Sequence, residues 1–92
     1  MTMADDALTI VKGTLEDNAG DRQVEFVGEI DGEEYQFAVQ YDLLEALGGD
    51  APDGDAIEIF ERYSDDILEA SLTALGRDME QPVVIVSEND LE

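Results

Sequence analysis

Residues Arg22–Gln40, RQVEFVGEIDGEEYQFAVQ, decide the fold. From Arg22 to Ile30 the chain alternates, placing Val24, Phe26, Gly28 and Ile30 on one face. A period of two marks a half-buried strand. Asp31-Gly32 follows, a two-residue turn in which both central residues need positive φ. From Glu33 to Gln40 the alternation resumes. Tyr35, Phe37, Val39 and then Tyr41 share one face; Glu34, Gln36, Ala38 and Gln40 share the other. Two strands with matched apolar faces around a central Asp-Gly predict a β-hairpin. Val27 breaks the pattern and marks either twist or a face covered on both sides.

Towards the N-terminus, Leu8-Thr9-Ile10-Val11 is a β-prone run that predicts a first strand, continuing to Leu15. Glu16–Asp21 carries turn chemistry: Asn and Gly tolerate positive φ, and Asp bonds its own backbone. Residues 1–6 read as a short leader. Beyond the hairpin, Tyr41–Leu47 predicts a short helix stopped by Gly48-Gly49, with Gly48 suited to the left-handed cap. Asp55 with Glu58 three residues later matches a capping box that opens a longer helix. Its apolar stripe is Ile57, Phe60, Ser64, Ile67, Leu68, Ser71, Leu72 and Leu75, and Gly76 is the expected terminator. Pro82 admits a last strand, Val83–Ser87, whose continuous apolar run predicts burial on both sides or a mid-sheet position. Leu91-Glu92 reads as an expression scar.

The expected order is β-β-β-α-α-β, with one α+β domain over residues 7–90. The architecture is a mainly antiparallel sheet with two helices on one face. The last strand returns across the helices, parallel to a neighbour.

Composition narrows function by exclusion. Of 92 residues, 25 are acidic and four are basic (Lys12, Arg22, Arg62 and Arg77), giving a net charge of −21. There is no cysteine and no histidine. Disulfides, thiolate nucleophiles and Cys/His zinc sites are excluded, and so is the commonest general base. Four bases form no phosphate-binding patch, so neither nucleic acid nor an anionic membrane is an expected direct partner. No apolar run approaches the roughly 20 residues of a membrane-spanning helix, and the start lacks a signal-peptide pattern. The expected location is cytoplasmic.

Cut into four blocks of 23, the chain holds 5, 7, 8 and 5 acids and 2, 0, 1 and 1 bases. Charge this evenly spread is not a tail. It resembles the composition of cytoplasmic proteins from salt-accumulating halophiles, where a Debye length of about 3 Å at 1 M salt screens repulsion between carboxylates. The alternative is a surface that imitates the DNA backbone and blocks a basic protein, which needs carboxylates in two rows on one surface.

Several residues together look like one known arrangement. They are Val24-Glu25-Phe26, Asp31-Gly32, Phe37-Ala38-Val39, Leu43-Leu44-Glu45-Ala46-Leu47, Phe60-Glu61-Arg62-Tyr63, Ile67, Val83–Ser87 and Asp90. From about Val24 to Asp90 the chain resembles the small prokaryotic domain-of-unknown-function family numbered fourteen eighty-eight. The resemblance implies a compact α+β domain with no assigned activity or catalytic motif. The acidic surface is an overlay on it.

Candidate sites are few. Asp50, Asp53, Asp55 and Glu58 around Pro52 and Gly54 offer oxygens to a hard cation. They do not fit a twelve-residue calcium loop, and acids also complement the start of a helix. Asp65-Asp66 and Glu33-Glu34 are paired carboxylates on surfaces expected to be solvated. Ser64 and Ser71 have no histidine to activate them. Tyr41 and Tyr63 are candidate interface anchors, because aromatics are enriched in interfaces. The expectation is a non-enzymatic module without cofactor, acting through a protein partner or through itself, with a homodimer as the self-associated form.

Overall fold

The computed structural model describes residues 8–78 and 80–91. The expected leader 1–6 and the terminal Glu92 lie outside the described residues. The elements are β1 (Thr9–Ile10), β2 (Glu16–Asn18), β3 (Gln23–Ile30), β4 (Glu33–Gln40), α1 (Tyr41–Gly48), α2 (Ala56–Arg62), α3 (Ser64–Asp78) and β5 (Val84–Val86), followed by a 3-10 turn at Glu88–Asp90. The class is α+β, as expected, with three helices and five strands instead of two and four.

The hairpin is the spine. β3 and β4 pair antiparallel from Gln23↔Gln40 to Ile30↔Glu33. Asp31 and Gly32 sit at φ 58° and 82°, the double positive φ that the Asp-Gly turn demands. β1 and β2 both pair antiparallel with β3, and β5 pairs parallel with β4. The sheet is therefore mixed and mostly antiparallel, with β5 at one edge.

The N-terminal run corrects the sequence reading. The first strand stops at Ile10, and Glu16-Asp17-Asn18, expected to turn, form β2. Between them the chain leaves the ladder and Thr14 fills the gap. Its hydroxyl accepts from the Val27 N–H at 3.0 Å and donates to the Val11 carbonyl at 2.7 Å. A side chain thus replaces a backbone partner that β3 would otherwise lack.

One face of the sheet makes the core. Val24, Phe26, Phe37, Val39, Val84 and Val86 are buried with Leu43, Leu44, Phe60 and Ile67 from the helices. Phe26 stacks on Phe37 at 5.0 Å and meets Phe60 edge-on at 5.4 Å, a preferred aromatic geometry. Gly28 keeps room for these rings: a Cβ there would lie 2.8 Å from Leu8 Cδ1 and 2.9 Å from Phe37 Cε1.

The long helix is broken. α2 ends at Arg62 with Tyr63 as its C-cap, and α3 begins at Ser64. α2 packs over β2 and β3, whereas α3 covers β4 and β5. The break lets two short helices follow a wide twisted sheet that one straight rod would leave. The buried stripe is correspondingly rotated. Ala56, Ile59 and Phe60, then Ile67, Ala70, Ser71, Ala74 and Leu75, are buried, while Ile57, Leu68 and Leu72 are only partly so. The alanines let the backbones approach the sheet. α3 runs through Gly76 to Asp78, and the left-handed cap of α1 is Gly49, at φ 95°, instead of Gly48.

β5 is an edge strand, not a strand buried on both sides. Val84 and Val86 face the core, while Ile85 is 40% exposed and Val83 37% exposed. Leu91, read from sequence as part of a scar, packs against the core.

Candidate functional site

Three clusters of polar side chains carry the structure's chemistry. The first joins β2 to the start of α1. The Tyr41 hydroxyl donates to Asp17 Oδ1 at 2.5 Å, and the Arg22 guanidinium lies 5.5 Å from the centre of the Tyr41 ring. Burial, and then the bond to Asp17, push the Tyr41 hydroxyl up to about 12. It is held protonated, as a hydrogen-bond donor and not as a base. Arg22 itself has φ 57°, unusual for a non-glycine residue, and its carbonyl accepts from the Tyr41 N–H at 3.0 Å.

The second cluster closes the C-terminal end. Asp90 is 5% exposed. Its Oδ2 accepts from the Ser87 N–H at 3.0 Å, and its Oδ1 accepts from Arg77 at 2.5 Å. Arg77 also bonds Asp78 and the Ile85 carbonyl. These bonds, to Asp90 first, raise the Arg77 guanidinium further above its ordinary value, so its charge is fixed. The signal was present as Ser87-Glu88-Asn89-Asp90, a capping box in the sequence. The sequence reading ends on the strand before it, because the box closes a single 3-10 turn too short to show a helical period.

The third lies on the open face of the sheet. Asn18 and Gln23 both donate to Glu25 Oε2, at 2.9 and 2.7 Å. These two bonds, Asn18 first, hold the Glu25 carboxyl below its ordinary value.

The loop acids do not converge. The Asp55 carboxylate turns onto the Asp53 N–H at 2.9 Å, and Glu58 pairs with Arg62 at 3.6 Å. Asp55 is the N-cap of α2, but its side chain caps no helical N–H, so the expected box with Glu58 is not formed. Among the described residues no group of three or more acids is close enough to hold a metal ion, so Asp50, Asp53, Asp55 and Glu58 are not brought together as a cation site. Ser71 is buried and donates to the Ile67 carbonyl at 2.8 Å. Tyr41 is 8% exposed and packed inside. Tyr63, half-buried at the α2–α3 break, is the one of the two candidate anchors with surface to offer.

Two open grooves flank the helices. One of about 530 Å³ runs beside α3, between Asp66, Glu69 and Thr73 on one wall and Asn89 and Leu91 on the other. One of about 450 Å³ is lined by Ile10, Lys12, Leu15, Phe60, Glu61 and Ser64. Among the described residues, no helix is long and apolar enough to cross a membrane.

No family model and no curated protein matches the sequence. Among solved structures, the crystal structure of a DUF1488-family protein of unknown function from Shewanella loihica PV-4 superposes with a TM-score of 0.72. It covers 92% of this chain and 96% of that one at 17% identity. The two chains share one fold. The resemblance read between Val24 and Asp90 is thus borne out in three dimensions, and the neighbour brings no activity with it.

Proposed function

We propose that this chain is an acid-coated DUF1488 domain that works as a non-enzymatic protein-interaction or self-association module in a salt-rich cytoplasm. The observation that carries the reading is the placement of the acids. On the open sheet face, Glu16 stands opposite Glu25 and Glu29 opposite Glu34, two like-charged cross-strand pairs. On the helices, Glu58, Glu61, Asp65, Asp66 and Glu69 are exposed as well. Like charges directly opposite one another oppose pairing in dilute buffer and are tolerated where salt screens them. Carboxylates on the sheet and on the helices suit a hydration coat better than a single duplex-like strip.

The polar clusters support a structural role. Tyr41 and Asp17, Arg77 and Asp90, and Thr14 each hold one segment of the fold to another. Affinity capture from a lysate of the source cells, in molar KCl and again in dilute buffer, tests the reading. An interaction module keeps a specific partner in molar KCl. A partner held only in dilute buffer points to phosphate mimicry, whose ionic contacts salt removes.

A further inference from the structure

The acids are even along the chain but not over the surface. Residues 35–41, 70–77 and 81–87 contain no acid. In the fold these stretches meet: β4 pairs with β5, and α3 packs on β5. They leave a gap in the acidic coat along the β5 edge. Among the described residues, the exposed large hydrophobics are Val83 and Ile85, and both lie in this gap. On the open face Ile85 is level with Ala38 and then Glu25, so the nearest acid in that row is two strand spacings away, about 10 Å.

We propose that a second copy of this chain docks on this gap, two-fold related, with Ile85 and Val83 meeting their own counterparts. The inference rests on the interaction reading above and names its partner. Charge selects the occupant. The gap offers no free carboxylate row to a basic protein, and Arg77, its one ion, is already paired with Asp78 and Asp90. Bringing an acid-bearing face of a −21 particle against its copy sets carboxylates against carboxylates. A neutral apolar gap facing itself avoids that, and a two-fold contact is self-complementary. The far sheet edge is also acid-free over residues 8–15, but it carries Lys12, and Ile10 and Leu15 there are partly buried on the core.

The contact is made by side chains and not by ladder extension. Pro82 has no N–H to give, and Arg77 occupies the Ile85 carbonyl at 3.3 Å. Such devices blunt an edge against open-ended strand addition. A stable interface takes about 800 Å² per partner, roughly 15% of the 5497 Å² surface, more than two half-exposed side chains provide. The dimer is therefore weak, with a dissociation constant on the order of 100 μM, and it tightens as salt screens the repulsion between copies.

Sedimentation equilibrium of the full chain in about 0.1 M and about 2 M KCl tests this. The wild type should be monomeric in the first and dimerise in the second. Ile85→Lys lowers the net negative charge yet should weaken dimerisation by about tenfold or more, with an unchanged far-ultraviolet spectrum, and Val83→Lys should act likewise. Lys12→Glu raises the net negative charge and should still dimerise in high salt. A wild type that stays monomeric overturns the proposal, even if the chain captures a different protein and the interaction reading stands. So do Ile85→Lys dimerising like the wild type, Lys12→Glu losing the dimer equally, or growth beyond dimers.

Discussion

Raising KCl from 0.1 to 1 M should raise the melting temperature of this domain by more than ten degrees. The radius of gyration of 12.5 Å corresponds to a sphere of about 16 Å radius. Spread over that sphere, the net charge of −21 has a self-energy of about 22 kcal/mol at 0.1 M salt and about 9 kcal/mol at 1 M. An unfolded chain of this length, with a radius of gyration of about 30 Å, carries about 5 and about 2 kcal/mol. The repulsion opposing folding thus falls from about 17 to about 7 kcal/mol. Ion accumulation and protonation both soften the low-salt value, so the difference of about 10 kcal/mol is a ceiling. A third of it still shifts the midpoint by about 12–24 °C in a domain of this size. Differential scanning calorimetry across a KCl series reads it directly. Most of the rise should come below 1 M, because the Debye length shortens most steeply there. Glu34→Lys, which turns the Glu29 pair attractive, should gain stability in 0.1 M KCl and lose that advantage in 1 M. A midpoint that moves by only a few degrees over the series would contradict this account of the charge.

Gly28→Ala should cost about 1–2 kcal/mol in urea unfolding, since overpacking against Leu8 and Phe37 outweighs the entropy gained in the unfolded chain. Thr14→Val strands the Val27 N–H and should cost about 1–2 kcal/mol, whereas Thr14→Ser keeps both bonds and should fall well short of that. For Tyr41 the folded value, near 12, lies above the unfolded one. Its contribution is therefore complete below about pH 10 and lost as the pH rises through about 12. Stability against urea should fall over that window as tyrosinate absorbance appears, and Tyr41→Phe should flatten this alkaline limb.

The hairpin was legible because everything that makes it is local. Its alternation, its Asp-Gly turn and its register all lie within nineteen consecutive residues, Arg22–Gln40. The short first helix and the existence of the last strand were legible for the same reason. So was the α+β class, since matched apolar faces need only one partner layer.

Side-chain period, turn chemistry and charge count thus suffice for the hairpin, the class and the sign of the surface. The remaining features depend on partners distant in the chain. Glu16-Asp17-Asn18 look like a turn, yet they become a strand because β3 offers them unpaired backbone groups. The helix breaks at Tyr63 because one half covers β2 and β3 and the other half β4 and β5. Asp90 is buried because Arg77, thirteen residues earlier, returns beside it. The gap in the acidic coat exists only after folding, because the acid-free stretches are separate in the chain and adjacent along the β5 edge.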